Sequence, residues 1–188
     1  MLQLRALVDE PSKKFAVRVI YSLLERRTPV MSAPTDYIEV EISVAAEVAK
    51  VWSFVSDINV PAQFSREFKG AEWLDTPGLG AIFRGDNAYG DFKWSTTSIV
   101  TEFVENESFA WTVGSVEEPV AVWGFRLSGR DGDVLLKMHA TMGPAMSPPR
   151  VSAAKDPENA ETIISKRLHQ WSKNMTATVE GIKLLSEQ

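Results

Sequence analysis

Along residues 37–44 apolar and polar side chains alternate one by one, with Ile38, Val40, Ile42 and Val44 on one side and Glu39, Glu41 and Ser43 on the other. A β-strand sends successive side chains to opposite faces, so this segment predicts a strand with one buried face. The period then changes. Between Ala45 and Val55 the residues Val48, Val51, Trp52 and Val55 fall on one helical stripe, which Ser56-Asp57 ends. A second short helix is expected after Asn59, with Pro61 in its first turn and Phe64 and Phe68 one turn apart.

Six strand-like segments follow, near residues 70–75, 81–86, 92–103, 107–113, 120–127 and 134–142. Turn chemistry separates them: Thr76-Pro-Gly-Leu-Gly80, Asn87-Ala-Tyr-Gly90, Glu105-Asn106, Glu117-Glu-Pro119 and Gly129-Arg-Asp-Gly132. Connections this short cannot hold the crossover that parallel strands need, so the sheet is expected to be antiparallel. The last element reads as a helix capped by Asp156, with Pro157 at its first position and Glu158 and Glu161 near its positive end. Its stripe of Ile164, Leu168, Trp171, Met175, Val179 and Ile182 is continuous. Some 28 residues at 1.5 Å each give a helix of roughly 42 Å. So long an apolar stripe needs a long partner surface, which the concave face of the sheet supplies.

The turn at Gly129 to Gly132 is expected to set Leu127 opposite Val134, Phe125 opposite Leu136, Trp123 opposite Met138 and Ala121 opposite Ala140. Arg126, Lys137 and His139 then occupy the outer face. Around Glu105-Asn106 the same reasoning places Phe109, Trp111 and Val113 on the face of Trp94, Thr96, Ser98 and Val100, with Ile99 and Phe103 on the other side. The inward set is rich in aromatic residues and methionine, with hydroxyls at Thr96 and Ser98. Two readings are open. Trp94, Trp111, Trp123 and Trp171 either fill a solid core, each contributing about 1.5–3 kcal/mol or more on burial, or wall an apolar pocket with a few polar groups.

The order strand, two helices, six strands and long helix, together with Val51-Trp-Ser-Phe-Val-Ser-Asp57, Gly78-Leu-Gly-Ala-Ile-Phe83 and Trp94-Ser-Thr-Thr-Ser-Ile-Val-Thr-Glu102, resembles the START-like (SRPBCC) superfamily. The branch it resembles is the polyketide cyclase/dehydrase and lipid-transport group, over about residues 37–185. The resemblance implies an α+β helix-grip fold, a seven-stranded curved antiparallel sheet wrapped around a long C-terminal helix, with two short helices after strand 1. It also implies binding or transport of a hydrophobic small molecule such as a lipid, polyketide or aromatic metabolite. The alternative is an aromatase/cyclase-type enzyme acting in the same cavity. The expected ligand contacts are Trp94, Thr96 and Ser98, then Trp111, Trp123 and Phe125, then Met138, Met142 and Trp171. A cyclase needs an acid or base within reach of a carbonyl or an acidic carbon. Ser98, Thr96 and, near a strand end, Glu102 are the inward candidates, and none forms a visible dyad. No cofactor and no metal is expected.

Composition narrows the picture. The chain has 188 residues, 44% hydrophobic and 24% charged, which suits one domain with a sizeable core. It has no cysteine and only His139 and His169 as histidines, so a metal site would lean on carboxylates. The net charge of −5 hides a basic start, since residues 1–30 carry six Lys/Arg against Asp9, Glu10 and Glu25. An acidic remainder argues against nucleic-acid binding. No apolar run reaches the roughly 20 residues of a membrane span, and a cytoplasmic location is expected. Residues 1–35 read as a basic extension and linker, and residues 36–188 as the domain. Within the extension Val17, Ile20, Tyr21 and Leu24 mark a short amphipathic helix, either a membrane-surface or partner-binding arm or an appendage with little fixed structure. A monomer and a homodimer both fit.

Several motif fragments carry no chemistry. Gly78-Leu-Gly80 lies between two strands and reads as a tight turn rather than a phosphate cradle. Ser152-Ala-Ala-Lys155 has a serine-lysine spacing but lacks the partner motifs. Asn106-Glu-Ser108 and Asn174-Met-Thr176 match glycosylation acceptors without a secretory signal. The segment 143–155, with Pro144, Pro148 and Pro149, exceeds the usual connection length. It is expected to be either a lid, with Met142 and Met146 near ligand, or a surface linker.

Overall fold

The structure, a computed structural model, describes residues 36–130 and 132–188. The amphipathic helix expected around Val17 to Leu24 lies outside them. Strand β1 (Tyr37–Val44) leads into helix α1 (Val48–Val55), which buries Val51, Trp52 and Val55 along its predicted stripe. After Asn59 there is only one 3₁₀ turn, Val60–Gln63, in place of the expected second helix. Phe64 and Phe68 are not a helical pair. Phe68 already belongs to strand β2 (Phe68–Trp73), while the Phe64 ring is seated on Gly181 of the last helix, where a Cβ would come within 2.4 Å of it.

Strands β3 (Ile82–Tyr89), β4 (Phe92–Val104), β5 (Ser108–Gly114), β6 (Pro119–Arg130) and β7 (Asp133–Met142) complete one antiparallel sheet in the order β1-β7-β6-β5-β4-β3-β2. β1 and β2 are therefore neighbours in sequence but occupy opposite edges, and α1 with the 3₁₀ turn spans between them. The long helix α3 (Ala160–Ser186) packs against β1, β7 and α1, and all six residues of its predicted stripe are buried. A 3₁₀ turn, Pro157–Asn159, precedes it. Asp156 makes no side-chain bond to the helix backbone; its carboxylate instead accepts from the Asn159 side-chain amide, at 3.0 Å.

Two registers differ from expectation, with different consequences. β6 and β7 pair Leu127 with Leu136, Phe125 with Met138, Trp123 with Ala140 and Ala121 with Met142. Their ladder continues to Arg130 opposite Asp133, and Gly132 takes φ 98°, so the turn is tighter than the four-residue loop expected. The shift is two residues. Because the side-chain period is also two, every inward residue stays inward. Between β4 and β5, by contrast, the register slips by one at a bulge, since Val100 faces Trp111 while Glu102 faces Ala110. One extra residue reverses the faces beyond it. Phe103 therefore turns inward, 5.7 Å from the Phe109 ring and 5.5 Å from Trp52, and Glu102 turns outward.

Residues 143–155 form a surface connection that contains a helix. Pro148–Lys155 forms helix α2, which packs on α3. Arg150 pins this segment to the sheet by donating to the carbonyls of Gly143 (3.1 Å) and Met142 (3.2 Å) and to the Asp36 carboxylate (2.8 Å).

Candidate functional site

The concave face of the sheet does not close completely on α3. A cavity of about 190 Å³ remains between them. Its shape follows from the rings that wall it. Phe83 and Trp111 meet at 65° with centroids 6.0 Å apart, Trp111 and Phe125 at 41° and 6.1 Å, and Trp123 and Trp171 at 50° and 4.6 Å. Rings tilted against one another brace the wall instead of reaching across to fill the centre. Gly85 on β3 adds room. A Cβ there would lie 3.1 Å from the Phe68 ring and 3.6 Å from the Thr96 hydroxyl oxygen.

Of the residues expected at a ligand site, Trp94, Thr96 and Ser98 border the cavity from β4, Trp111 from β5, and Trp123 and Phe125 from β6. Met138 from β7 and Trp171 from α3 join them. Met142 does not border it. The β6–β7 register sets Met142 opposite Ala121 at the strand end, where it is packed into the core. Glu102 is also outside. On the convex face its carboxylate accepts a hydrogen bond from the Ser108 hydroxyl at 2.8 Å, so it is no acid or base for the cavity. Nothing in 143–155 borders the cavity, and Met146 is an exposed side chain.

Polar groups that the sequence pattern did not single out stand at one side of this space. Arg167 of α3 and Glu67, from the irregular segment before β2, both border it. They form a two-pronged ion pair, with Nη1 donating to Oε2 at 2.7 Å and Nη2 donating to Oε1. Glu67 is buried, and the Arg167 guanidinium lies 5.5 Å from the centre of the Trp171 ring. Asn174 and Asn87 also line this side. Arg167 was findable in principle, one turn before Trp171 on the same helix. Glu67 was not, because its segment has no period.

On the convex face, burial and the hydrogen bond to Glu39 push the Tyr37 phenol up to about 12. The same hydrogen bond, then Lys137, hold the Glu39 carboxyl below its usual range. Burial, then Arg126, hold His139 below the usual imidazole value.

A curved antiparallel sheet gripping one long helix over an apolar cavity defines the helix-grip class. Within it, the chain belongs to the polyketide cyclase/dehydrase and lipid transport family, whose profile matches residues 44–160. No curated protein matches the chain significantly in sequence. Among solved structures, a Polyketide_cyc-like protein of Corynebacterium glutamicum shares 24% identity with a TM-score of 0.57, over 79% of this chain and 90% of that one. The Zhui aromatase/cyclase of Streptomyces sp. R1128 shares 17% identity with a TM-score of 0.59, over 80% and 93%. The di-domain aromatase/cyclase BexL of the BE-7585A biosynthetic pathway shares 14% with a TM-score of 0.60, over 93% of this chain and 58% of that one. At these identities the likeness is one of fold. Among the described residues, no helix is long and apolar enough to cross a membrane.

Proposed function

We propose that this protein binds a hydrophobic small molecule in the cavity between the concave sheet face and α3. One observation carries the reading: tilted aromatic side chains from three strands and a helix surround about 190 Å³ of unfilled space. Protein interiors are otherwise packed about as densely as organic crystals, with few voids larger than a water molecule. Folding alone favours filling the space with side chains, so retaining it supports a guest that fills it instead. Membership in a family described by cyclisation, dehydration and lipid transport agrees with a guest of this kind.

A cyclase-type reading has one observation in its favour, the hydroxyl-bearing Thr96 and Ser98 in the β4 wall. The carboxylates bordering the cavity are Asp57 and Glu67, and both are engaged. Asp57 accepts from the Asn59 backbone N–H at 2.8 Å, and Glu67 is paired with Arg167. Binding is the better supported reading.

Equilibrium dialysis and thermal unfolding with 2-methylnaphthalene test it. The expected result is saturable binding of one molecule per chain with a rise in Tm that grows with ligand concentration. Absence of saturable binding with an unchanged Tm overturns the reading.

A further inference from the structure

Arg167 carries more donors than its partners use. A guanidinium has five N–H bonds in one plane. Glu67 takes one from each Nη in the end-on arrangement, and the Gln170 side-chain oxygen accepts a second from Nη1 at 3.3 Å. Among the described residues no acceptor is present for Nε–H or for the remaining Nη2–H. In a planar guanidinium these two bonds are parallel and share one edge, a second fork of the kind that holds a carboxylate through both oxygens. The edge belongs to a side chain that borders the cavity and stacks on Trp171, itself part of the apolar wall.

The Arg167 side chain is partly open to water, so a guest that covers this edge displaces the water there. A guest with oxygens at the edge keeps the N–H bonds satisfied, and a purely apolar guest leaves them unpaired. Glu67 shapes this further. By pairing with the guanidinium it allows Arg167 to sit beside apolar rings, and its charge opposes a second carboxylate nearby. Phe109, Phe125 and Met138 contribute apolar side chains to the rest of the lining.

We propose that the guest is amphipathic, an apolar body with a planar two-oxygen head such as a carboxylate, and that the Nε–Nη2 edge of Arg167 holds that head while the aromatic wall holds the body. This rests on the binding reading above. Arg167 is then the residue that selects acidic guests over apolar ones of the same shape.

The test compares 2-naphthoate with 2-methylnaphthalene on the full chain by equilibrium dialysis at pH 7.5. Naphthoate is expected to bind about tenfold more tightly or better, the factor that one charge-assisted hydrogen bond supplies. In Arg167→Gln that preference falls to near unity. In Glu67→Gln, which removes the competing charge, the preference for naphthoate grows about threefold or more. The opposite sign of the two effects separates recognition from general damage, and Glu67→Gln decides alone if Arg167→Gln does not fold. Equal binding of the two probes, or a preference unchanged by either substitution, overturns the role of Arg167 and leaves the apolar cavity standing. If neither probe binds, the binding reading falls and the inference with it.

Discussion

His139 shows how one side chain ties the convex face to solution pH. Its ring stacks near Tyr37 with centroids 6.2 Å apart, and its Nε2 is buried without a partner among the described residues. It presses on Gly124, where a Cβ would come within 2.6 Å of Nε2, so the close approach requires glycine. Burial and Arg126 oppose its protonation, with Glu39 and Glu102 acting the other way to a lesser extent. The folded pKa therefore lies below 6.5, and the unfolded chain takes up the proton first as pH falls. The stability due to this group is fully present above about pH 6.5 and declines below it, by at most about 1.4 kcal/mol per pH unit. Urea unfolding between pH 7.5 and 5.5 should show a steeper loss for the native chain than for His139→Phe, which keeps a ring in place. Equal slopes would contradict the assignment. The outward position of His139 was legible from strand alternation; its contact with Gly124 was not, because a glycine carries no polarity into the pattern.

At the scale of elements, period and turn chemistry identified the sheet and the long helix, and all seven strands fall within a few residues of expectation. What they missed were single-residue events. The bulge in β4 adds one residue at a point where Val100, Thr101, Glu102 and Phe103 read as ordinary alternation. It exchanges Glu102 for Phe103 on the inner face. The segment 64–67 and helix α2 were also illegible, since α2 buries no residue and is held by Arg150 rather than by an apolar stripe. The bulge has a direct test. Glu102→Gln should leave 2-methylnaphthalene and 2-naphthoate affinities within about twofold of the native chain, because its partner is Ser108 outside the cavity. A loss of tenfold or more would place Glu102 inside.

At the scale of the molecule, eight of the nine residues expected around a ligand border one space, despite a pairing register that was wrong by two. The reason is geometric. An even shift preserves faces, so the inner face was robust to the error; Met142 keeps that face too, but at the strand end it packs into the core beside the cavity's lining. Volume, by contrast, cannot be read from alternation. Whether four tryptophans pack solidly or leave about 190 Å³ between them depends on ring tilts that only the folded chain displays. The polar end of the site depends on two segments 100 residues apart meeting at Glu67 and Arg167. The most direct measurement of the central claim is an isotope-filtered NOE experiment on the labelled chain with unlabelled 2-methylnaphthalene. Contacts from the probe to Met138, Trp123 and Trp171 are the predicted result, and contacts confined to the exposed Leu79, Tyr89 and Phe92 would contradict it.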